Sequence, residues 1–336
     1  MPDALGVYAK NSFEKKKYNV TSFTFFCGEN LVISSNINID DRRVLMRKVK
    51  KAVIPVAGFG MRFLPFTKAV PKMMLPIIDT PVLQYIVEEA VDSGIEEVLF
   101  VVGQHSEIIR DYFSENAELN AKLENEKYKA FREKVEKVNS IAEYSFVVQD
   151  KQLGTAHAVA LAKEFTAGEP FLLMFGDDLM FNAEKPVSLQ LIEAYEKTGK
   201  TVIGCKKVPL ADVPKYASVE YDSCDGRIYN MTKITEKPPI EKVKSNLSPL
   251  GRYVCDSDIF DYIEKIGRGA NGEYQITDAF DLQAKDSRAV ALEFEGKRYD
   301  TGDKFGYVQA FVEYALRDEE FGEKTLKYLK ELIKND

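Results

Sequence analysis

The sequence has few of the residues that build metal centres from nitrogen and sulfur. It contains four cysteines and two histidines in 336 residues. Cys27, Cys205, Cys224 and Cys255 lie far apart and lack the spacing of metal ligands. This scarcity argues against histidine-based zinc chemistry. We expect the thiols to be buried side chains in the reducing environment of the cytoplasm.

Two further absences narrow the class of protein. No run of about 18 apolar residues occurs, so a membrane-spanning helix is not expected. The net charge is −7, and acidic and basic residues are mixed along the chain rather than clustered by sign. This balance argues against nucleic acid and anionic membranes as partners. With 45% hydrophobic residues, the chain has enough apolar material for a large core.

The first 45 residues differ in texture from the rest of the chain. They carry a run of three lysines at 15–17 but lack the order of regions that marks a secretory signal. Met46 leads directly into a basic segment and the first apolar run, as the start of a natural protein would. We predict that residues 1–45 are an N-terminal extension outside a catalytic domain at 46–336. N-terminal sequencing of the natural protein tests whether it begins at Met46.

From residue 51 the pattern alternates between strand and helix. Short apolar runs at 52–57, 98–102, 171–175 and 201–206 predict buried strands, with amphipathic segments between them. This repetition predicts an α/β fold with a mostly parallel, Rossmann-like, doubly wound sheet. The nucleotide-binding half would span about 46–207.

After residue 208 the pattern becomes one of alternating strands. Residues 217–221 and 227–236 predict an added antiparallel region within a sugar-binding half at about 208–303. Two C-terminal helices are predicted within about 304–336. No low-complexity linker separates the halves, so we expect one continuous sheet.

Three local predictions concern helices. A helix from Thr80 to Gly94 would have Thr80 as its N-cap and Pro81 at its first position. A second helix is predicted at 154–165. A long, highly charged and solvated helix is predicted at 115–138.

The most informative segment follows the first strand. Residues 57–76 read A-G-F-G-M-R-F-L-P-F-T-K-A-V-P-K-M-M-L-P. Gly58 and Gly60 would let the backbone N–H groups approach an anion. Arg62 and Lys72 add a planar fork and a point charge, both suited to phosphates. The segment predicts a polyphosphate site at the end of the first strand.

Two carboxylates follow predicted strands elsewhere in the chain. Asp177 comes after the apolar run 171–175, and Asp300 ends a later strand before a glycine turn. Ligands of open α/β sheets bind at the carboxyl ends of strands. Mg²⁺ typically takes one or two carboxylates there. The alternative for each aspartate is a turn or helix cap.

Three weaker signals accompany these. Glu236 and Lys237 end a strand before two prolines, and a surface ion pair is the alternative interpretation. Gln149, in the segment that leads to Gly154, carries an amide that can read a base edge. Gly251 would let a sugar lie against the backbone, or would only bend its strand.

Taken in order, these motifs resemble the bacterial UTP–glucose-1-phosphate uridylyltransferases, the UDP-glucose pyrophosphorylases of the sugar nucleotidyltransferase superfamily. The resemblance covers about residues 47–336. It rests on the opening loop and on a series of later motifs: Gly176-Asp177-Asp178, Glu236-Lys237-Pro238, Gly251-Arg252-Tyr253-Val254, Gly272-Glu273, Thr277-Asp278-Ala279 and Tyr299-Asp300. It implies Mg²⁺-dependent transfer of a uridylyl group from UTP to glucose 1-phosphate, without a covalent intermediate, in a cytoplasmic homo-oligomer, a dimer or a tetramer.

The resemblance also implies roles for individual residues. The nucleotide would contact Ala57, Gly58, Gly60, Gln149, Gly154, Gly176 and Asp177. Arg62 and Lys72 would grip the triphosphate, and Asp177 and Asp300 would bind Mg²⁺. Glu236 would take glucose hydroxyls, Lys237 the sugar phosphate, and Gly251 and Ala217 would complete the sugar site.

Three residues depart from the family pattern: Met61, Met73 and Ala217. They leave the charged groups in place, so the reaction class stands. Two alternatives stay open. One is a related enzyme that uses another nucleotide or sugar, and the other is a weakly active regulatory protein that binds nucleotide sugars.

Overall fold

The computed structural model describes residues 22–25, 33–36, 48–103, 106–182, 184–269 and 272–334. The chain divides by its contacts into residues 1–47 and 48–336. Within the first unit, strands β1 (Ser22–Phe25) and β2 (Ile33–Asn36) pair antiparallel. The predicted extension at 1–45 lies mostly outside the described residues, and its separate status stays a prediction.

The second unit is built around a nine-stranded sheet. Its further strands are β3 (Lys51–Pro55), β4 (Pro76–Ile77), β5 (Thr80–Pro81), β6 (Glu97–Val102), β7 (Glu143–Val148), β8 (Phe171–Met174), β9 (Asp178–Phe181), β10 (Thr201–Lys207), β11 (Ala217–Asp225), β12 (Ile228–Glu236), β13 (Leu247–Cys255), β14 (Ala289–Glu293) and β15 (Lys297–Asp300). The large sheet has the order β11-β12-β14-β10-β13-β8-β3-β6-β7. Two small ribbons, β4 with β5 and β9 with β15, complete the described pairings.

The pairings give the strand directions. β3 is parallel to β6 and β8, β6 to β7, and β10 to β14, whereas β12 and β13 are antiparallel to their neighbours. Seven of the nine described strands of the large sheet therefore run in one direction. The predicted α/β class, the mostly parallel sheet and the added antiparallel region are confirmed. The two halves share this single sheet, as expected.

Helices cover both faces of the sheet. They are α1 (Val82–Asp92), α2 (Glu107–Tyr112), α3 (Ala117–Leu123), α4 (Lys129–Ser140), α5 (Thr155–Ala160), α6 (Lys163–Thr166), α7 (Val187–Thr198), α8 (Ile259–Ile263), α9 (Ile276–Lys285), α10 (Lys304–Arg317) and α11 (Gly322–Lys334). None of the helices in the described part of the chain is long and apolar enough to cross a membrane.

The core consists of two apolar clusters, one on each face. Successive β3 residues alternate between them, because side chains of a strand point to opposite faces. Ile54 packs in the cluster that contains α1 and α7, and Val53 packs in the cluster that contains α5 and α9. Burial on both faces explains why the predicted strands read as continuous apolar runs.

The prediction for the start of α1 was wrong. Thr80 and Pro81 form β5, and Pro81 occupies the N-cap position of a helix that begins at Val82. The Thr80 hydroxyl donates to Asp79 Oδ1 at 2.9 Å instead of capping the helix. The first N–H of the helix, on Val82, donates to Leu75 O at 3.1 Å. The turn before the helix therefore supplies what the predicted cap would have supplied.

The prediction of a single long helix at 115–138 was also wrong. Two helices, α3 and α4, flank a 3-10 turn at Glu126–Tyr128. Asn125 Oδ1 accepts from Lys127 N at 3.1 Å, and such local bonds compete with helix continuation. The helix predicted at 154–165 is likewise two, α5 and α6. The two C-terminal helices predicted within about 304–336 are confirmed as α10 and α11.

Candidate active site

The glycine loop after β3 folds back on Lys72. Gly60 has a φ of 64°, in the left-handed region, and a side chain there would lie 3.0 Å from the Cβ of Lys72. Thr67 Oγ1 donates to Gly60 O at 2.9 Å and holds the turn closed. Gly58 has open space in front of it. Gly60 is therefore required by the turn, whereas Gly58 leaves room for a ligand.

Two carboxylates that are distant in sequence meet through the β9–β15 ribbon. Its register places Asp300 opposite Asp178, so that Asp177 lies at the end of the ribbon. Thr301 N and Oγ1 both donate to Asp177 O, at 2.9 and 2.8 Å. The two predicted metal carboxylates are therefore held at one end of the β9–β15 ribbon by a fixed pairing.

The charged residues converge on Gly302. A Cβ at this position would lie 2.6 Å from Asp177 Oδ2, 3.0 Å from Arg62 Nη2 and 3.1 Å from Asp300 Oδ1. The Lys72 Nζ forms an ion pair with Asp177 Oδ2. The structure thus brings together Arg62, Lys72, Asp177 and Asp300. We call these four residues the triphosphate cluster, after the ligand that the sequence predicts for them.

The triphosphate cluster keeps Asp177 ionised. Burial acts to raise the pKa of Asp177, but the charges of Lys72, Arg298 and Arg62 outweigh it and lower the pKa. No group of three or more His, Cys, Asp or Glu side chains suited to a metal occurs in the described ranges. Mg²⁺ needs only one or two carboxylates, with water and phosphate oxygens as its other ligands. Two carboxylate oxygens around the cradle in front of Gly302 fit such an ion.

Glu236 and Lys237 lie at the end of β12. Thr277 Oγ1 donates to Glu236 Oε2 at 3.1 Å. Burial raises the pKa of Glu236, although the charge of Lys237 and the Thr277 hydrogen bond act in the opposite direction. The Lys237 side chain is 63% exposed, and its Nζ lies 3.9 Å from Glu236 Oε1. Its backbone is fixed, since its N–H donates to Tyr216 O at 2.7 Å. We call Glu236 and Lys237 the sugar-phosphate turn, after the ligand that the resemblance predicts for them.

Gln149 and Gly154 close the loop before α5. Gln149 is buried, and its Nε2 donates to Gly154 O at 3.3 Å and lies 2.9 Å from His157 Nδ1. Gly154 has a φ of 112°, and a side chain there would overlap the backbone of Tyr274. The crossing of two chain segments is one physical reason for the glycine. The contacts of both residues with a nucleotide stay a prediction.

Three other predicted site residues are closely packed against protein. A Cβ on Gly176 would lie 2.8 Å from Val56 Cγ1, and one on Gly251 would overlap the Asp178 carboxylate. Ala217 is buried in the apolar cluster that contains α5 and α9. Their predicted ligand contacts stay predictions, and protein packing already explains why these residues are small.

The two methionines of the opening loop have different surroundings. Met61 is exposed, whereas Met73 is buried in the core. The Cε of Met73 lies 3.7 Å from the position that a Cβ of Gly176 would take. Met73 therefore fills space behind the loop, which explains its apolar character without any contact with a ligand.

The sequence motifs gave no role to several residues that lie around the site. Arg298 pairs with Asp178 and Asp300, and Tyr216 contacts both Arg298 and Lys237. Arg298 could have been found, because it precedes Asp300 by two positions and alternate residues of a strand share a face. Gln152, whose Nε2 donates to Ala57 O, had no comparable signal.

The chain is similar to known proteins over most of its length. Residues 51–317 match the model of a family described as nucleotidyl transferase. UTP–glucose-1-phosphate uridylyltransferase 2 of Staphylococcus saprophyticus is 44% identical over 290 residues, which are 86% of this chain and 100% of that protein. The UTP–glucose-1-phosphate uridylyltransferase of Staphylococcus epidermidis is 42% identical over 287 residues, 85% of this chain and 99% of that protein.

Solved structures of similar proteins agree with the fold. A UDP-glucose pyrophosphorylase complexed with UDP-glucose has 35% identity and a TM-score of 0.74, and the match covers 80% of this chain and 100% of that one. A UTP-bound UGPase from Acinetobacter baumannii has 33% identity and a TM-score of 0.76, covering 84% and 99%. The chain therefore shares its fold with solved UDP-glucose pyrophosphorylases, one of them complexed with UDP-glucose and another bound to UTP.

Proposed function

The chain belongs to the nucleotidyl transferase family, and we propose that it transfers the uridylyl group of UTP to glucose 1-phosphate, forming UDP-glucose and pyrophosphate. One observation carries the proposal. Asp177, Asp300 and Arg62 surround a single point in front of Gly302, with Lys72 paired to Asp177. The chain is similar to uridylyltransferases. In this arrangement Asp177 and Asp300 would bind a metal cation, and Arg62 and Lys72 would bind a triphosphate.

The proposed reaction is a single displacement. A phosphate oxygen of glucose 1-phosphate forms a bond to the α-phosphorus of UTP. The bond from that phosphorus to the bridging oxygen breaks, and pyrophosphate leaves with the electron pair. Because the attacking oxygen is already an anion, no general base is needed. None of the site motifs contains an activated nucleophile, so no covalent enzyme intermediate is proposed.

The main task of the protein is to bring two polyanions together in line. Arg62 and Lys72 would hold the triphosphate and stabilise the charge that develops on the leaving pyrophosphate. Lys237 would hold the phosphate of glucose 1-phosphate, because its ammonium group is mostly exposed and pairs with Glu236 only at 3.9 Å. Glu236 would accept hydrogen bonds from glucose hydroxyls.

Members of this family generally use a divalent metal ion. We propose Mg²⁺, with Asp177 and Asp300 as its protein ligands. When bound, the ion would neutralise phosphate charge and orient the phosphate oxygens. The lowered pKa of Asp177 keeps that carboxylate ionised and able to bind a cation.

The remaining residues complete the two substrate sites in this proposal. The uracil and ribose would lie against Ala57, Gly58, Gly60, Gln149, Gly154 and Gly176. The sugar would lie near Gly251 and Ala217. The nucleotide half would span about 46–207, the sugar half about 208–303 and the C-terminal helices about 304–336, with residues 1–45 outside this catalytic unit.

We also propose a cytoplasmic homo-oligomer, a dimer or a tetramer. Large apolar side chains are exposed on both C-terminal helices, including Phe305 and Val308 on α10 and Leu332 and Ile333 on α11. Exposed apolar clusters of this kind often mark contacts between subunits. Size-exclusion chromatography with light scattering measures the oligomeric state directly.

The reaction is tested by measuring pyrophosphate release from the purified full chain with UTP, glucose 1-phosphate and Mg²⁺. Parallel reactions replace UTP with dTTP or CTP, and glucose 1-phosphate with the phosphates of galactose or N-acetylglucosamine. We expect UTP with glucose 1-phosphate to be the preferred pair, and the reaction to need Mg²⁺. A different preferred pair would indicate a related nucleotidyltransferase. Nucleotide-sugar binding without turnover would indicate the regulatory alternative.

A further inference from the structure

Arg298 makes three different contacts at the boundary between the two substrate sites. It lies on β15, and its side chain is 13% exposed. Its Nε donates to Asp178 Oδ1 at 2.6 Å, and its Nη2 lies 3.3 Å from Asp300 Oδ2. Its Nη1 donates to the Tyr216 hydroxyl at 3.1 Å. One guanidinium therefore contacts two carboxylates and a phenol at once.

These contacts need the shape of arginine. A guanidinium carries five N–H donors in a fixed plane, whereas an ammonium group is a point charge. The guanidinium carbon also lies 5.0 Å from the centre of the Tyr216 ring. Burial opposes the charge of Arg298, but Asp178 and Asp300 outweigh it and raise the pKa of the guanidinium. Arg298 therefore stays charged beside the carboxylates.

Asp178 anchors this group to the sheet. Arg252, which is 0% exposed, donates from Nη2 to Asp178 O at 2.7 Å and to Glu89 Oε2 at 2.7 Å. On the other side, Asp178 packs directly against Gly251, where any side chain would overlap its carboxylate. Through Asp178 the Arg298 guanidinium is linked to α1 and β13, and its position is fixed.

Two series of contacts lead away from Arg298, and we call each of them a branch. The first runs to Asp300, which is part of the triphosphate cluster. The second runs through Tyr216, whose carbonyl accepts the Lys237 N–H at 2.7 Å. Lys237 has a φ of 41°, an uncommon value for a residue other than glycine. Such a backbone persists only where its surroundings hold it in place.

We infer that Arg298 is a positioning residue that sets the Asp300 carboxylate and, through Tyr216, the backbone of Lys237. A single side chain anchored on Asp178 would then align the metal carboxylate with the sugar-phosphate turn. The inference rests on the proposed function, because it concerns the alignment of those two substrate sites. If Arg298 only stabilised the fold, its loss would lower the melting temperature without a selective change in the affinity for the sugar phosphate or the cation.

The first test separates the two branches. Arg298→Gln removes both branches. Tyr216→Phe removes only the branch to Lys237, because it deletes the hydroxyl that accepts from Arg298. Arg298→Lys keeps the positive charge but loses the planar guanidinium. Arg227→Gln is the matched control, since Arg227 bonds to Gln190 and pairs with Glu295 at 3.3 Å, outside the proposed site. Melting temperature is measured for every variant, so that a loss of folding is recognised.

Binding supplies readouts besides turnover. Calorimetry gives the Kd of glucose 1-phosphate, and titration with Mn²⁺ in place of Mg²⁺, followed by electron paramagnetic resonance, gives the Kd of the cation. We expect Arg298→Gln to weaken both about tenfold or more, the usual loss for a hydrogen bond to a charged group. Tyr216→Phe should weaken glucose 1-phosphate binding about threefold and leave Mn²⁺ binding within about twofold. Arg298→Lys should recover part of the cation affinity only.

Each contrary result has a distinct meaning. A folded Arg298→Gln protein with the Mn²⁺ affinity of the wild type would overturn the branch to Asp300. If neither arginine variant folds, Tyr216→Phe decides, and unchanged glucose 1-phosphate binding in that variant overturns the branch to Lys237. Failure of the proposed function looks different, because the wild-type protein itself would then release no pyrophosphate from UTP and glucose 1-phosphate.

Discussion

The triphosphate cluster and the sugar-phosphate turn each present a lysine to the proposed substrates, but they hold it differently. Lys72 is 18% exposed and is paired with Asp177, beside Arg62 and Asp300. Lys237 is 63% exposed, and its Nζ lies 3.9 Å from the Glu236 carboxylate. In the first region the charges neutralise one another. In the second, the backbone is fixed, and the exposed ammonium group makes only a long ion pair with Glu236.

The difference concerns how much each site must change when its substrate arrives. In the proposed function, a triphosphate would compete with Asp177 for Lys72, so that binding would exchange one set of charge pairs for another. A sugar phosphate would meet the Lys237 ammonium group with little competition, because exposed ion pairs contribute only about 0–1 kcal/mol. Substitutions in the cluster should therefore affect the transition state, and substitutions at the turn should affect mainly sugar-phosphate binding.

The largest effects are expected in the triphosphate cluster. Lys72→Ala and Asp177→Ala should each lower kcat by about 10²–10³, or about 3–4 kcal/mol of transition-state stabilisation. Lys197→Ala is the control, since Lys197 forms an exposed pair with Asp225 at 2.9 Å. Steady-state kinetics with UTP and glucose 1-phosphate measures the change. Turnover near the wild-type rate in either variant would remove its residue from the proposed mechanism.

A smaller and more selective effect is expected at Lys237. Lys237→Ala should raise the KM for glucose 1-phosphate by roughly 30-fold, the value of about 2 kcal/mol for a charged hydrogen bond. The KM for UTP and the melting temperature should stay unchanged, because the lost side chain is mostly exposed. Lys244→Ala, an exposed lysine paired with Glu220, is the control. Equal losses for both substrates would contradict the contrast with Lys72.

Much of this contrast could be predicted from sequence because the fold has simple periodicity. Apolar runs located the buried strands, and neighbouring parallel strands such as β3 and β8 end at the same edge of the sheet. The opening loop and Asp177 follow these two strands, so their proximity could be expected. The structure also brings Asp300 to them, through the register of β9 and β15.

Other features depend on contacts that a local pattern does not contain. Gly251 is a glycine because the Asp178 carboxylate lies against it, and Gly154 because Tyr274 crosses it. In each case the partner is more than 70 positions away in sequence. Alternation along β15 could have placed Arg298 on the same face as Asp300, but its pairing with Asp178 arises only when β9 and β15 meet.

The next effect tests the cradle of the triphosphate cluster by adding a single methyl group. In Gly302→Ala the new Cβ would lie 2.6 Å from Asp177 Oδ2, so the carboxylates must move apart. Overpacking of this kind typically costs 1–3 kcal/mol, and we expect about a tenfold rise in the Mg²⁺ concentration for half-maximal rate. Gly267→Ala is the control, because nothing lies within 4 Å of a Cβ there. If Gly302→Ala kept the Mg²⁺ dependence of the wild type, the two carboxylates would not be the ligands of the cation.

The smallest effect concerns Glu236 and stability rather than turnover. Burial raises the pKa of Glu236 above its ordinary value of 4.5, since Lys237 and Thr277 offset burial only in part. Between the unfolded and the folded pKa, the folded protein binds more protons, so wild-type stability falls as the pH rises through that window. Glu236→Gln cannot titrate, and it should therefore gain stability relative to the wild type as the pH rises, with the difference constant above the folded pKa.

Glu293 gives the comparison of opposite sign. Burial acts to raise its pKa, but hydrogen bonds from Tyr229 and Lys207 outweigh burial and lower it. Glu293→Gln should therefore lose stability relative to the wild type at neutral pH, and the loss should disappear as the pH falls through the folded pKa. Urea unfolding of the three proteins from about pH 2.5 to about pH 8 covers both windows and measures both differences. If both variants change stability with the same sign at neutral pH, the partial neutralisation of Glu236 by its exposed lysine is wrong, and the sugar-phosphate turn resembles the triphosphate cluster after all.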